Sequence, residues 1–167
     1  MTHAATDRDA GHEAQAAGGA ILLVFRLEGE AFGISVEPVH EILDPPEITP
    51  VPNAGAFAPG LVNVRGVVVP VLDIRHRLRM PAAAPGPTAR IIVLEHQIDG
   101  APCRLAFVAD AVEDVIEAGG ATLDRMPEIG ARWPPACIAG AIRHGADLVV
   151  LLEPSALFAP DAAEAAA

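Results

Sequence analysis

From Ile21 onward the chain alternates short runs of strand-forming apolar residues with polar breaks of two to six residues. "ILLVFRL" (21–27) and "AFGIS" (31–35) flank "EGE", which predicts a hairpin with a glycine in its turn. "ITPVP" (48–52) predicts a short edge strand, because proline cannot donate to a ladder. "LVNV" (61–64) and "VVVPVLDI" (67–74) flank Arg65-Gly66, and Pro70 marks an edge or a bulge. Asp73 is placed to N-cap a short helix over Ile74–Leu78. "RIIVLEH" (90–96) and "CRLAFVA" (103–109) flank the loop "QIDGAP", with Asp99-Gly100 as its turn. "DLVVLLE" (147–153) is the most apolar strand, and Pro154 or Ser155 opens a short terminal helix. Many strands of five to seven residues and few helices are the pattern of small barrels.

The pattern repeats. "FGISVEPVHEIL" (32–43) aligns without a gap on "LAFVADAVEDVI" (105–116). Apolar residues coincide at Val39/Val112 and Ile42/Val115, and acidic ones at Glu37/Asp110 and Glu41/Asp114. Further on, "NVRGVVVPVLDI" resembles "AIRHGADLVVLLEP": an Arg, a Gly, an apolar strand, then Asp73 or Glu153. "MPAAAPGPTA" (80–89) excludes both helix and ladder and separates two halves, 20–79 and 90–159. Each half is expected to form one small barrel. Either alone is marginal, so the two should pack over a shared hydrophobic core. Residues 1–19 and 160–167, rich in Ala and polar residues, read as disordered tails.

Composition narrows the function. The 167 residues are 51% apolar but only 4% aromatic, which predicts a core of Val, Ile, Leu and Ala. A net charge of -11 argues against nucleic acid and anionic membrane as partners. The only cysteines, Cys103 and Cys137, are too few and too far apart for a disulfide framework or a CxxC unit. No apolar run reaches the ~20 residues that span a bilayer, and no signal peptide is evident, so a cytoplasmic location is expected.

Reactive chemistry is scarce. None of the six histidines has HxH or HExxH spacing, and solvated surface is the expectation for all of them. The only serines are Ser35 and Ser155, and no nucleophile elbow, P-loop or GxGxxG is present. The expectation is a binding module with no catalytic residues, no metal and no cofactor.

One motif is specific: G-x-x-N-x-R-G-x-x-x-P-x-x-D, carried by Gly60, Asn63, Arg65, Gly66, Pro70 and Asp73. With the stretches at 22–43, 90–96, 105–117 and 138–158, it resembles the CheW-like coupling proteins of bacterial chemosensory systems. The resemblance implies a mainly β fold of two five-stranded SH3-like barrels around a shared core, with short helices. It implies a scaffold that binds the regulatory domain of a CheA-type histidine kinase and the cytoplasmic helical-hairpin tip of a chemoreceptor. On the matching positions, Val39, Glu41 and Arg65 fall on the receptor-facing surface, and Ile48 and Val51 on the kinase-facing edge. Gly60, Asn63, Gly66, Pro70 and Asp73 are the structural motif. Pro38 and the length of the 97–102 loop depart from the usual pattern.

Arg65 has two readings. It is a strand-end residue beside a turn glycine, or it also organises the binding surface by pairing with a carboxylate, Glu41 being nearest by the resemblance. Val39 and Ile42, at i and i+3, are expected to share a helical face, with Ile42 in the core and Val39 at the surface. The competing functions are a small-molecule sensor or enzyme on small barrels, and the same adaptor role in a non-swimming pathway.

Overall fold

The computed structural model describes residues 20–55, 58–118 and 132–159; the expected tails, 1–19 and 160–167, lie outside the described residues. The first half supplies β1 (Ile21–Leu27), β2 (Glu30–Ser35), β3 (Val39–Leu43), β4 (Thr49–Pro50), β5 (Gly60–Val64), β6 (Val67–Leu72) and helix α1 (Ile74–Arg77). The second supplies β7 (Arg90–Ile98), β8 (Ala101–Ala109), β9 (Ala111–Glu117), a 3-10 turn (Pro135–Cys137), β10 (Ile138–His144), β11 (Asp147–Leu152) and helix α2 (Pro154–Leu157).

The strands form two sheets, ordered β10-β11-β2-β1-β9 and β3-β7-β8-β6-β5-β4. The repeat is therefore structural. The order β10-β11-β2-β1-β9 maps onto β5-β6-β8-β7-β3 strand for strand, leaving the two-residue β4 as an added edge. Even the parallel registers correspond. Leu151 lies opposite Gly33, and Val71 lies opposite Ala106, the residues that the repeat makes equivalent.

The halves do not each build one barrel, as expected from the 80–89 break. β3 leaves the first two strands to join the second sheet, and β9 crosses back to the first. The physical reason is the repeat itself. Equivalent strands carry the same apolar pattern, so either copy satisfies the same neighbour, and periodicity does not say which. Residues 80–89 adopt neither helix nor strand and join α1 to β7 on the second-sheet side.

Each sheet curls around its own interior. Leu22, Val24, Ala31, Ile116, Ile142 and Val149 form one buried cluster, drawn from all five strands of the first sheet, including both end strands. Val62, Val64, Val69, Val71, Ile91, Val93 and Ala106 form the other, with half-buried Leu43 of β3 against it. Clusters that join a sheet's two ends require a closed or nearly closed barrel. A third and larger cluster lies between the barrels, built from Leu23, Phe25, Phe32 and Ile34 on one side and Ile92, Leu94, Leu105 and Phe107 on the other.

The core is built mostly of Val, Ile, Leu and Ala, as composition predicts, and the few aromatics gather in one place. Phe25, Phe32, Phe107, Phe158 and Trp133 all pack in the shared cluster. Phe25 and Phe107 lie 5.2 Å apart between ring centroids, and Trp133 meets Phe32 edge-on at 5.3 Å. Few aromatics suffice because they are concentrated where two barrels meet. His96 also departs from the solvated reading, since it is half-buried with its ring edge-on to Phe158 at 5.6 Å. Cys103 and Cys137 are free thiols, and burial pushes the Cys137 thiol up.

A polar hub fixes the barrels to each other. Asp110 is the residue between β8 of the second sheet and β9 of the first. Its carboxylate accepts from Arg75 Nη2 and, at 2.8 Å, from the backbone N–H of Glu28. Its carbonyl accepts from Thr88 Oγ1 at 2.8 Å, which anchors the end of the 80–89 segment. Arg75 is buried, with Nη1 3.8 Å from Glu28 Oε1.

Candidate functional site

Arg65 and Gly66 are the two central residues of the β5–β6 hairpin, and both have positive φ, 52° and 84°. That geometry matches the right-handed twist of the flanking strands. Gly66 adopts it without strain, whereas Arg65 does so against the preference of a side chain with a Cβ. Asn63 Oδ1 accepts from the Gly66 N–H at 2.8 Å and locks the turn. Gly66→Val leaves the open space beside Gly66 unclashed but forces a β-branched residue to φ 84°. The expected cost is of order 1–3 kcal/mol, read as a lowered urea midpoint.

Arg65 Nε donates to Glu41 Oε2 at 3.1 Å. The Arg65 side chain is 80% exposed and that of Glu41 only 16%. Glu41 lies on β3 at one end of the sheet, and Arg65 at the turn joining the two strands near the other end. The pair thus closes the seam of the second barrel. An ion pair so exposed contributes at most about 1 kcal/mol. Its geometry is more informative: a half-buried carboxylate aims a guanidinium whose remaining nitrogens face solvent.

Val39 and Ile42 lie in a strand, and the expected helical face is absent. They share a face nonetheless. The register of β3 on β7 shifts between Val39 and Glu41, so Val39 lies opposite Leu94 and Ile42 opposite Ile92. The expected burial is reversed. Val39 is half-buried against the shared core, and Ile42, further along, is 38% exposed. The same bulge recurs in β9, with Val112 opposite Phe25 and Val115 opposite Leu23. An apolar i, i+3 pair inside a strand was the available signal for this bulge. Val39 points to the shared-core face of β3 and Glu41 to the barrel-interior face, so the structure does not group Val39 with the Glu41–Arg65 pair.

Ile48 and Val51 flank β4 at the opposite end of the sheet, both half-buried. Ile48 packs against the second barrel's interior cluster. A Cβ on Gly60 would lie 2.5 Å from Ile48 Cγ2 and 3.2 Å from the Thr49 carbonyl oxygen, so the glycine lets this edge lie against β5. Beside it runs an apolar groove of about 320 Å3, lined by Ile48, Pro50, Ile74, Ala82 and Pro85. Pro70 lies opposite Leu61, just before the two residues by which β6 joins β8, so its missing N–H costs no ladder bond there. Asp73 caps α1, accepting from the His76 N–H at 3.3 Å, and Glu153 caps α2 in the equivalent place. The 97–102 segment is no loop. β7 and β8 run through it to a two-residue turn at Asp99-Gly100, with Gln97 opposite Pro102. Among the described residues, no group of three or more His, Cys, Asp or Glu side chains is placed to hold a metal ion.

The family profile of the CheW-like domain matches residues 22–161. The chain belongs to the CheW-like family. It is 30% identical over 149 residues to the chemotaxis protein CheW of Rhizobium meliloti, covering 89% of this chain and 94% of that one. It is 31% identical over 110 residues to CheW of Bacillus subtilis, 66% of this chain and 68% of that one. The crystal structure of the scaffolding protein TtCheW from Thermoanaerobacter tengcongensis superposes with a TM-score of 0.72 at 25% identity, covering 86% of this chain and 94% of that one. The two-barrel architecture is thus a CheW-like fold, and the sheet orders above are its form in this chain.

Proposed function

We propose that this CheW-like protein is a non-catalytic scaffold that couples chemoreceptors to a CheA-type histidine kinase at cytoplasmic faces of receptor arrays. The observation that carries this reading is the seam of the second barrel, where Glu41 holds an 80% exposed Arg65 guanidinium outward. A guanidinium fixed through one nitrogen keeps two for a partner's carboxylate or carbonyl. The receptor contact falls there, with Val39 supporting β3 from the core side, and the kinase contact at the β4 edge. Among the described residues no helix is long and apolar enough to cross a membrane, which accords with recruitment through receptors.

The edge assignment is tested by calorimetry with the kinase regulatory domain. Ile48→Asp is expected to weaken binding at least about tenfold. It also lowers the melting temperature, because Ile48 packs on the barrel interior. Thr49→Lys, at an exposed position of the same edge, isolates the surface effect: weaker binding at unchanged melting temperature. Unchanged affinity in both variants rejects this edge as the kinase contact.

A further inference from the structure

The apolar groove beside β4 carries a buried cation with an unused donor. Arg75 lines the groove and is only 8% exposed. Its Nη2 bonds Asp110, but among the described residues its buried Nη1 has no hydrogen-bond acceptor. Glu28 Oε1 lies 3.8 Å from Nη1, beyond hydrogen-bond reach. A buried donor left unbonded is costly, and folded proteins keep few of them. The space in front of it has a local cause. Gly60 has no side chain and Ala82 and Ala83 have short ones, and the segment that supplies the two alanines forms neither helix nor strand. Ile48, Val71 and Ile74 give the groove apolar walls. Apolar walls with one convergent polar group are the usual make-up of a small-molecule site, and a volume of about 320 Å3 is at the small end of such sites.

Charge narrows the ligand. The charged residues lining the groove are Arg75, Asp110 and Asp73. Asp110 is engaged by Arg75 and by the Glu28 N–H, and Asp73 by the His76 N–H at the start of α1. An anion entering here would meet two carboxylates and a cation that is already paired. A cation would find carboxylates but would leave Nη1 without an acceptor. An uncharged oxygen meets neither objection, because a carbonyl or amide oxygen accepts from a guanidinium without adding charge.

We propose that this groove binds a small uncharged molecule with a short apolar body and one carbonyl or amide oxygen, which accepts from Arg75 Nη1. The apolar body lies against Ile48 and Ile74, and the oxygen fixes its orientation. Ile48 and Pro50 also border the β4 edge given above to the kinase. An occupant is therefore placed to alter kinase binding. That consequence rests on the adaptor reading; the binding itself does not.

The test is NMR titration of the purified full chain, labelled at its isoleucine methyls and arginine nitrogens, with hexanamide, hexanoate and hexylammonium. These probes share one chain length and differ in charge. Neither kinase nor receptor is present, so failure leaves the adaptor reading untouched. Hexanamide should shift the Ile48 and Ile74 methyls and the Arg75 Nη1 resonance saturably, with a Kd of about a millimolar. The Ile142 methyl, inside the first barrel, should stay still. Hexanoate and hexylammonium should each bind about tenfold more weakly or worse. Arg75→Met should weaken hexanamide by a similar factor and erase its advantage over the charged probes. Ala83→Phe, at an exposed position that lines the groove, should abolish the saturable shifts at an unchanged melting temperature. No saturable shift with hexanamide, equal affinity for the three probes, equal shifts at Ile142, or undiminished amide binding in either variant overturns the proposal.

Discussion

Asp110→Ala is expected to destabilise the protein by about 3–5 kcal/mol, the cost of leaving a buried charge without its partner. Arg75 is 8% exposed, and Asp110 is the acid that bonds its guanidinium directly. Glu28 Oε1, at 3.8 Å, is too far to replace that bond. The substitution also orphans the Glu28 N–H, held by Asp110 at 2.8 Å. Asp110 is itself 36% exposed, so solvent reaching the gap should keep the loss near the lower end of that range. At about 2–4 °C per kcal/mol for a chain of this size, the melting temperature falls by roughly 6–12 °C. Arg75→Met behaves differently. It removes the buried charge, keeps the apolar stem, and leaves Asp110 partly solvated with its Glu28 bond, so the cost should be under about 1.5 kcal/mol. In the double variant the two losses should be far from additive, because both act on one contact. Urea unfolding of the four proteins measures the cycle. Additive losses would mean that Asp110 holds the barrels together without Arg75.

Arg65→Ala is expected to abolish most receptor-dependent control of the kinase while lowering the melting temperature by no more than about 4 °C. The second half follows from exposure: the pair with Glu41 contributes at most about 1 kcal/mol. The first half follows from orientation. Glu41 bonds Nε alone, which directs the terminal nitrogens outward. Arg65→Lys should not restore control, since an ammonium cannot bond Glu41 and present a planar two-pronged donor at once. Glu41→Gln should give an intermediate loss, because the amide can still accept from Nε but without charge. The measurement is kinase activity in a reconstituted mixture with receptor. Full activity from Arg65→Ala would reduce Arg65 to a turn residue, and complete rescue by Arg65→Lys would leave only a need for positive charge.

Most local elements were legible in the sequence because local rules set them. The Asp73 cap, the turn at Arg65-Gly66 and the proline-guarded β4 edge each follow from a few residues and their backbone preferences. The Glu41–Arg65 pair, separated by 24 positions, was reachable only through the family's motif. What stayed hidden is non-local. The exchange of the β1–β2 and β7–β8 hairpins between barrels cannot be read from a pattern that both halves share. The Arg75–Asp110 hub was hidden because Arg75 sits in "IRHRL", which reads as a basic surface, and only tertiary packing buries it. The bulge at residue 40 was misread as a helical turn, since apolar residues at i and i+3 fit both. That misreading reversed Val39 and Ile42.

The adaptor role is tested most directly by sedimenting receptor-containing vesicles with a CheA-type kinase, in the presence and absence of this chain. The account predicts that the kinase pellets with receptor vesicles only when the chain is added. The amount pelleted should fall sharply with Arg65→Ala, and with Thr49→Lys the chain should pellet while the kinase stays in the supernatant. Kinase that pellets equally without the chain, or a chain that pellets with neither receptor nor kinase, would contradict it.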